Sequence, residues 1–202
     1  GDASELRRSL GHFARTSTGG SSVGPRRFGP VYTAGGSLYE VLSSLGGDGA
    51  EAASHGLSKD ELTGQPLDVV CQLLAEALAP DNGDSDRIRV SIDEAMLEVL
   101  GDGDFDPERL DEEAVHRILA EYLSQSIFQD IVEEVGGSWA SAPDERRTAE
   151  AEGELLELIR VIVDQTLGPR LASNNSLSKA AVHRFLREAV VEIWQEWENA
   201  DE

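Results

Sequence analysis

Asp111–Gly137, DEEAVHRILAEYLSQSIFQDIVEEVGG, is the stretch on which the fold turns. Val115, Ile118, Leu119, Tyr122, Leu123, Ile127, Ile131, Val132 and Val135 recur at three- and four-residue steps, which puts them on one broad face of an α-helix. Phe128 widens that face in the middle. A helix apolar over more than half its girth has to be covered by several neighbours rather than one. Asp111, Glu112 and Glu113 stand where the N-terminal end of the helix dipole favours negative charge. Gly136-Gly137 offer a left-handed stop at the other end. At about 1.5 Å per residue this element is roughly 37 Å long, enough to span a small domain. Nothing on it looks catalytic.

The covering helices are sought on both sides. Upstream, Ser4–Arg15 reads as a short helix with Leu6, Leu10 and Phe13 on one side and Ser4 as its N-cap. TSTGGSSVGP reads as a flexible link, its Gly and Ser content arguing against a packed element. Pro25–Leu45 reads as one interrupted helix, most regular from Ala34, burying Phe28, Val31, Tyr32, Leu38, Tyr39, Leu42 and Leu45 and ended by Gly46-Gly47. Its small residues Gly35 and Gly36 allow another helix close. Asp48–Gly56 is expected as a loop. Ser58 with Glu61 forms a capping-box pattern for a single turn, and Pro66 opens a helix to about Leu78 with the stripe Leu67, Val70, Cys71, Leu74, Leu78. A second capping-box pattern, Ser91 with Glu94, is expected to open SIDEAMLEVLG.

Downstream, a loop holds Trp139 and Pro143. A second long helix covers about Asp144–Leu167, and Gly168-Pro169 terminate it. A last helix, capped by Ser176 or Ser178, runs to about Trp197. The only strand candidate, IRVSI, is short. The expectation is an all-α single helical domain of about seven helices around a long central helix, with a flexible N-terminal arm at residues 1–24 and an acidic α-helical domain at 25–202. No internal repeat is seen at 20–50 residue spacing.

Composition sets further bounds. Hydrophobic residues make up 40% of the 202, enough for a core in one compact domain. The formal charge of −22 is unevenly placed. Residues 1–30 hold five of the 17 basic residues and two of the 39 acids, or +3; the other 172 residues hold 12 and 37, or −25. An acidic body repels nucleic acid and anionic membrane, so no direct nucleic-acid contact and no membrane contact are expected. Arg7, Arg8, Arg15, Arg26 and Arg27 either bind a phosphate-rich or acidic partner or fold against the acidic body, and five charges are few enough to favour the second. Cys71 is the only cysteine, which rules out an internal disulfide; it reads as a buried free thiol of a cytoplasmic protein. No signal peptide is evident, and no apolar run approaches the roughly 18 residues of a membrane span. The chain opens on Gly1 rather than Met, so a natural N-terminal segment ahead of it is expected.

Candidate sites are few. Asp102, Asp104, Asp106 and Glu113 fall at positions 1, 3, 5 and 12 of a calcium loop. Pro107 stands where the loop needs Gly, and Arg109 where it needs an apolar residue, so no metal is expected there and the acids read as an interhelical loop capping the central helix. His12, His55, His116 and His183 are scattered, with no zinc spacing. No phosphate loop or nucleophile elbow is present. Trp194 and Trp197, three apart, either form a partner-binding patch or close the core; continuation of the apolar stripe favours the core. No catalytic residue, cofactor or metal ligand is assigned.

Segment wording and order carry a resemblance. Leu6–Gly47, LRRSLGHFARTSTGGSSVGPRRFGPVYTAGGSLYEVLSSLGG, with Leu62–Leu78, Ser91–Leu100 and Leu110–Gly137, resembles the QatB family of the four-component Qat anti-phage defence system, over most of residues 6–171. The resemblance implies a non-enzymatic component of that bacterial defence complex. It implies association with a QatC-like relative of deazaguanine synthase, with a QatA-like ATPase and a QatD-like nuclease as further candidate partners. Enzymes of the QatC kind adenylate a carboxylate and pass it to an amine, so an N-terminal tail offering that amine, on a body that docks the enzyme, is the mechanism implied. Members of the family usually begin with a Gly- and Pro-rich tail, which this chain lacks. The alternative from another class is a helical enzyme or metal-binding protein whose site is assembled across helices; the missing inward pairs of carboxylates or histidines argue against it.

Overall fold

The computed structural model describes residues 3–139, 145–173 and 177–200. In chain order its α-helices are α1 (Ala3–His12), α2 (Gly29–Leu45), α3 (Ala50–Ser54), α4 (Lys59–Leu62), α5 (Leu67–Leu78), α6 (Ser85–Leu100), α7 (Glu112–Trp139), α8 (Glu145–Thr166), α9 (Gly168–Ala172) and α10 (Lys179–Asn199). Seven of these have ten residues or more. Among the described residues no strand forms; Pro66 and Asp104 make one isolated antiparallel bridge. The all-α expectation around a long central helix holds.

The central helix is α7, packed against α2, α6, α8 and α9. Its broad apolar face explains the arrangement, and the burial goes further than that face. Every residue from Glu121 to Ile127 is buried. The polar ones are satisfied locally: Ser124 and Ser126 donate to the carbonyls of Ala120 and Tyr122 at 2.9 and 2.8 Å, and Gln125 Nε2 donates to Glu121 Oε1 at 3.0 Å. Tyr122 donates to the Val31 carbonyl of α2 at 2.7 Å, so its buried hydroxyl is not left without a partner. Asp111 caps the helix, its Oδ1 accepting from Ala114 N–H at 2.8 Å.

α2 is continuous, and Gly35 and Gly36 do bring α10 close. A Cβ on Gly35 would lie 2.4 Å from Leu186 Cδ1, and one on Gly36 2.9 Å from the Lys179 carbonyl oxygen. Ser178, not Ser176, is the described cap of α10: its Oγ accepts from Ala181 N–H at 3.1 Å. Ser58 caps α4 as its spacing suggests, accepting from Glu61 N–H at 3.4 Å.

Several boundaries differ from the sequence reading. Ser4 lies inside α1 rather than capping it. Residues expected as a loop at 48–56 contain α3, entered through Gly49 at φ +78°, a conformation glycine adopts freely. α6 begins at Ser85, six residues before Ser91, because Ile88 extends the stripe of Ile92, Ala95 and Met96 one turn upstream; all four have no exposed surface. Ser91 is therefore mid-helix, where its hydroxyl accepts from Gln129 Nε2 at 2.9 Å instead of capping. Gly136-Gly137 do not stop α7, which runs on to Trp139. Gly168-Pro169 open the short α9 rather than ending the helical path, since proline suits a first helical turn. The loop expected between α7 and α8, 140–144, and most of the link before α10, 174–176, lie outside the described residues.

The Gly/Ser stretch after Arg15, expected to lack packed structure, is folded onto α10. A π-helical turn, Phe13–Ser17, extends α1, and a 3-10 turn, Gly24–Phe28, leads into α2. Between them Gly19 and Gly20 take φ +81° and +85° and reverse the chain. Thr18 is buried and accepts from Trp194 Nε1 at 2.8 Å, while Ser21 N–H donates to Glu198 Oε1 at 2.6 Å. The stretch packs because an indole N–H in the core needs an acceptor and Thr18 is the one brought to it.

Candidate functional site

The five arginines of the N-terminal segment do not form one patch. Arg15 donates to the Glu198 carbonyl at 2.7 Å, at the end of α10. Arg27 pairs with Asp130 of α7, which also accepts from Arg87 of α6 at 2.9 Å. Arg87 meets Asp84 and Glu133 besides; burial alone would ease proton loss from its guanidinium, and these carboxylates outweigh that, raising its pKa. Two arginines are thus folded onto the body, the second of the two readings. Arg7, Arg8 and Arg26 are exposed.

Trp194 and Trp197 are core residues, with 0% and 4% of their surface exposed, so the reading of them as an open partner-binding patch is corrected to core closure. Their rings lie 5.1 Å apart, and Phe28 packs edge-on against Trp194 at 5.4 Å. The cause is their position on the stripe of α10 that faces α2 and the N-terminal turns.

Two of the singled-out residues, from opposite ends of the chain, are nevertheless brought to one groove. Arg7 of α1 and Trp197 of α10 line one groove of about 620 Å³ with Leu158, Val161 and Ile162 of α8. Trp197 and Ile162 are almost wholly buried, while Val161 is 52% exposed, the highest value among the described large hydrophobic residues. Glu192 and Glu196 of α10 line it as well. Both are exposed, and Arg170 engages Glu192 at 2.8 Å.

A second, larger groove of about 860 Å³ runs between α6, α7, α8 and α9. Sequence reasoning missed its centre, the pair of Glu121 and Arg160. Arg160 Nε sits 3.1 and 3.0 Å from the two Glu121 oxygens, and its Nη1 reaches Glu157 at 2.5 Å. The hydrogen bonds to Glu121 raise the Arg160 pKa, so the guanidinium stays charged. Asp164 nearby has its pKa raised by burial and then by Glu121. His116 Nε2 is buried there without a hydrogen bond. A signal was available: Glu121 and Gln125, polar residues one turn apart, sit beside the apolar stripe residues Leu119, Tyr122 and Leu123.

The calcium-like stretch is used for structure. Asp106 Oδ1 accepts from Glu108 N–H at 3.0 Å over a 3-10 turn that Pro107 opens, and Phe105 exchanges backbone hydrogen bonds with Gln65 and Gly64 at 2.7 and 2.9 Å. Among the described residues no group of three or more His, Cys, Asp or Glu is arranged to hold a metal ion. No helix among them is long and apolar enough to cross a membrane.

No curated protein and no solved structure matches this chain. A family model described as Qat anti-phage system associated protein QatB matches residues 19–196, from the packed Gly/Ser turn to the last turns of α10. With nearly the whole helical body inside that match, the chain belongs to the QatB family and is a component of the Qat anti-phage system.

Proposed function

We propose that this chain is a non-catalytic binding protein of the Qat assembly, working in the cytoplasm, which docks a QatC-like relative of deazaguanine synthase and serves it as protein substrate or scaffold through its N-terminal end. The match across residues 19–196 is the observation that carries this reading. The reaction is acyl transfer: a carboxylate displaces pyrophosphate from ATP to give an acyl adenylate, and an amine of the chain attacks its carbonyl, forming an amide and releasing AMP. Because α1 and the turn after it are held on α10, the reactive amine belongs ahead of α1. The body charge of −25 outside residues 1–30 suits a basic docking surface on the enzyme and disfavours direct contact with phage DNA.

The test is reconstitution of the full-length protein with the QatC-like enzyme, ATP and a deazapurine carboxylate, followed by intact mass spectrometry. The expected result is a complex that weakens as salt rises, and an N-terminal mass gain equal to the acid less water. An unchanged mass in a mixture where the complex forms rejects the substrate role and leaves scaffolding. No complex at low salt rejects both.

A further inference from the structure

We infer that the helical body is kept free of competing acceptors, so that the enzyme it docks acylates only the segment ahead of α1; this rests on the reading above. The chemical step sets the requirement. A neutral amine attacks the acyl-adenylate carbonyl through its lone pair, a C–N bond forms, the bond to the AMP oxygen breaks, and AMP and a proton leave. Any neutral amine or thiolate within reach of the adenylate competes for it. The body meets the enzyme while that adenylate forms, so each nucleophile on its surface is a rival to the tail.

Residues 1–202 hold few rivals, and the fold occupies those it has. Of the 17 basic residues 15 are arginine and two are lysine, Lys59 and Lys179. A guanidinium stays protonated and has no free pair to offer, so arginine supplies positive charge without supplying a nucleophile. The body uses it in that way: in the ion pairs among the described residues the cation is an arginine or His116. Both lysines are half-buried. Lys59 Nζ donates to the Gly47 carbonyl at 2.5 Å. Lys179 lies where α10 passes α2; a Cβ on Gly36 would come within 3.0 Å of its Cγ, so its stem is packed against that helix. The one thiol, Cys71, has no exposed surface, and burial first, then Asp93 and Asp68, push its pKa up to about 12. It offers no thiolate at neutral pH. Exposed positive charge on the helices is carried instead by groups such as Arg8 and Arg117.

The experiment repeats the reconstitution of full-length protein with the QatC-like enzyme, ATP and a deazapurine carboxylate at pH 9, where about 4% of an ordinary lysine side chain is neutral. Acylated residues are mapped by mass spectrometry after proteolysis. Two variants accompany the unmodified chain. Lys59→Arg with Lys179→Arg removes both internal amines. Arg8→Lys with Arg26→Lys and Arg117→Lys installs amines at three exposed positions and keeps the charge. The unmodified chain is expected to be acylated ahead of α1 alone, and the double variant to the same extent. The triple variant is expected to gain a further acyl group on an installed lysine. Acylation of Lys59 or Lys179 in the unmodified chain overturns the inference and leaves acylation of this protein standing. A triple variant acylated only ahead of α1 also overturns it, since position would then select the amine whatever the body carries. No acylation of the unmodified chain, in a mixture where the complex forms, overturns this inference together with the substrate role.

Discussion

At the residue scale the informative groups are those whose surroundings disagree with their chemistry. Asp93 of α6 is such a group. Its Oδ1 is buried with no hydrogen-bond partner. Burial raises its pKa, and Asp68 on α5 raises it further. Cys71 shares this neighbourhood, and burial, then Asp93 and Asp68, push its thiol up to about 12, so it is not a nucleophile at neutral pH. For Asp93 the sign follows from linkage. Its folded pKa lies above the unfolded one, so the charged native form carries a penalty that is absent below the ordinary carboxylate value and full above the raised one. Stability contributed at this site is lost as pH rises through that window. Asp93→Asn should therefore raise the melting temperature at pH 7, by the equivalent of up to about 1 kcal/mol given that the residue is only partly buried. It should change nothing at a pH below the carboxylate range. A thermal melt at both pH values checks this, and a lower melting temperature at pH 7 counts against it.

At the element scale α7 decides the fold, because a helix buried from Glu121 to Ile127 on all sides forces its neighbours into a shell around it. Leu119 and Ile127 each have no exposed surface. Replacing either with Ala should cost about 2–5 kcal/mol in denaturant unfolding, the range for a large buried side chain that leaves a cavity. A loss below about half a kcal/mol would show that the helix is peripheral. Periodicity was enough to place α2, α5, α7 and α10 and most of their buried residues, since apolar spacing at 3.6 residues per turn is written in the chain itself. It was not enough for the ends. Ser91 with Glu94 matches a capping box, yet α6 passes through it, because burying Ile88 and bonding Ser91 to Gln129 stabilise a continued helix.

At the scale of the whole molecule the chain's first and last helical segments are joined. Thr18, Gly24, Phe28 and Trp194 meet where the N-terminal turns cross α10, tying together residues more than 160 apart in the chain. Gly24 is small there for a steric reason: a Cβ would lie 2.4 Å from Trp194 Nε1 and 2.5 Å from Thr18 Oγ1, whereas one on Gly29 would meet nothing within 4 Å. Gly24→Ala should destabilise the protein by about 1–3 kcal/mol through overpacking. Gly29→Ala, at the start of α2, should be neutral or stabilising by up to about 1 kcal/mol. The pair of melting temperatures checks this, and equal values for the two variants would show that the crossing is loose.

The sequence by itself determined the all-α class, the central helix, the buried stripes and the acidic body, because each depends on local spacing or on a sum over residues. It also carried the resemblance to the QatB family. Only the tertiary structure decided that the Gly/Ser turn is packed, that Trp194 and Trp197 are core, and that Arg7 and Trp197 share a groove with Val161. Those facts depend on which helices are neighbours. Helix pairing rests on interdigitating shapes and on finding acceptors for buried donors such as the Trp194 indole, and neither leaves a periodic trace along the chain.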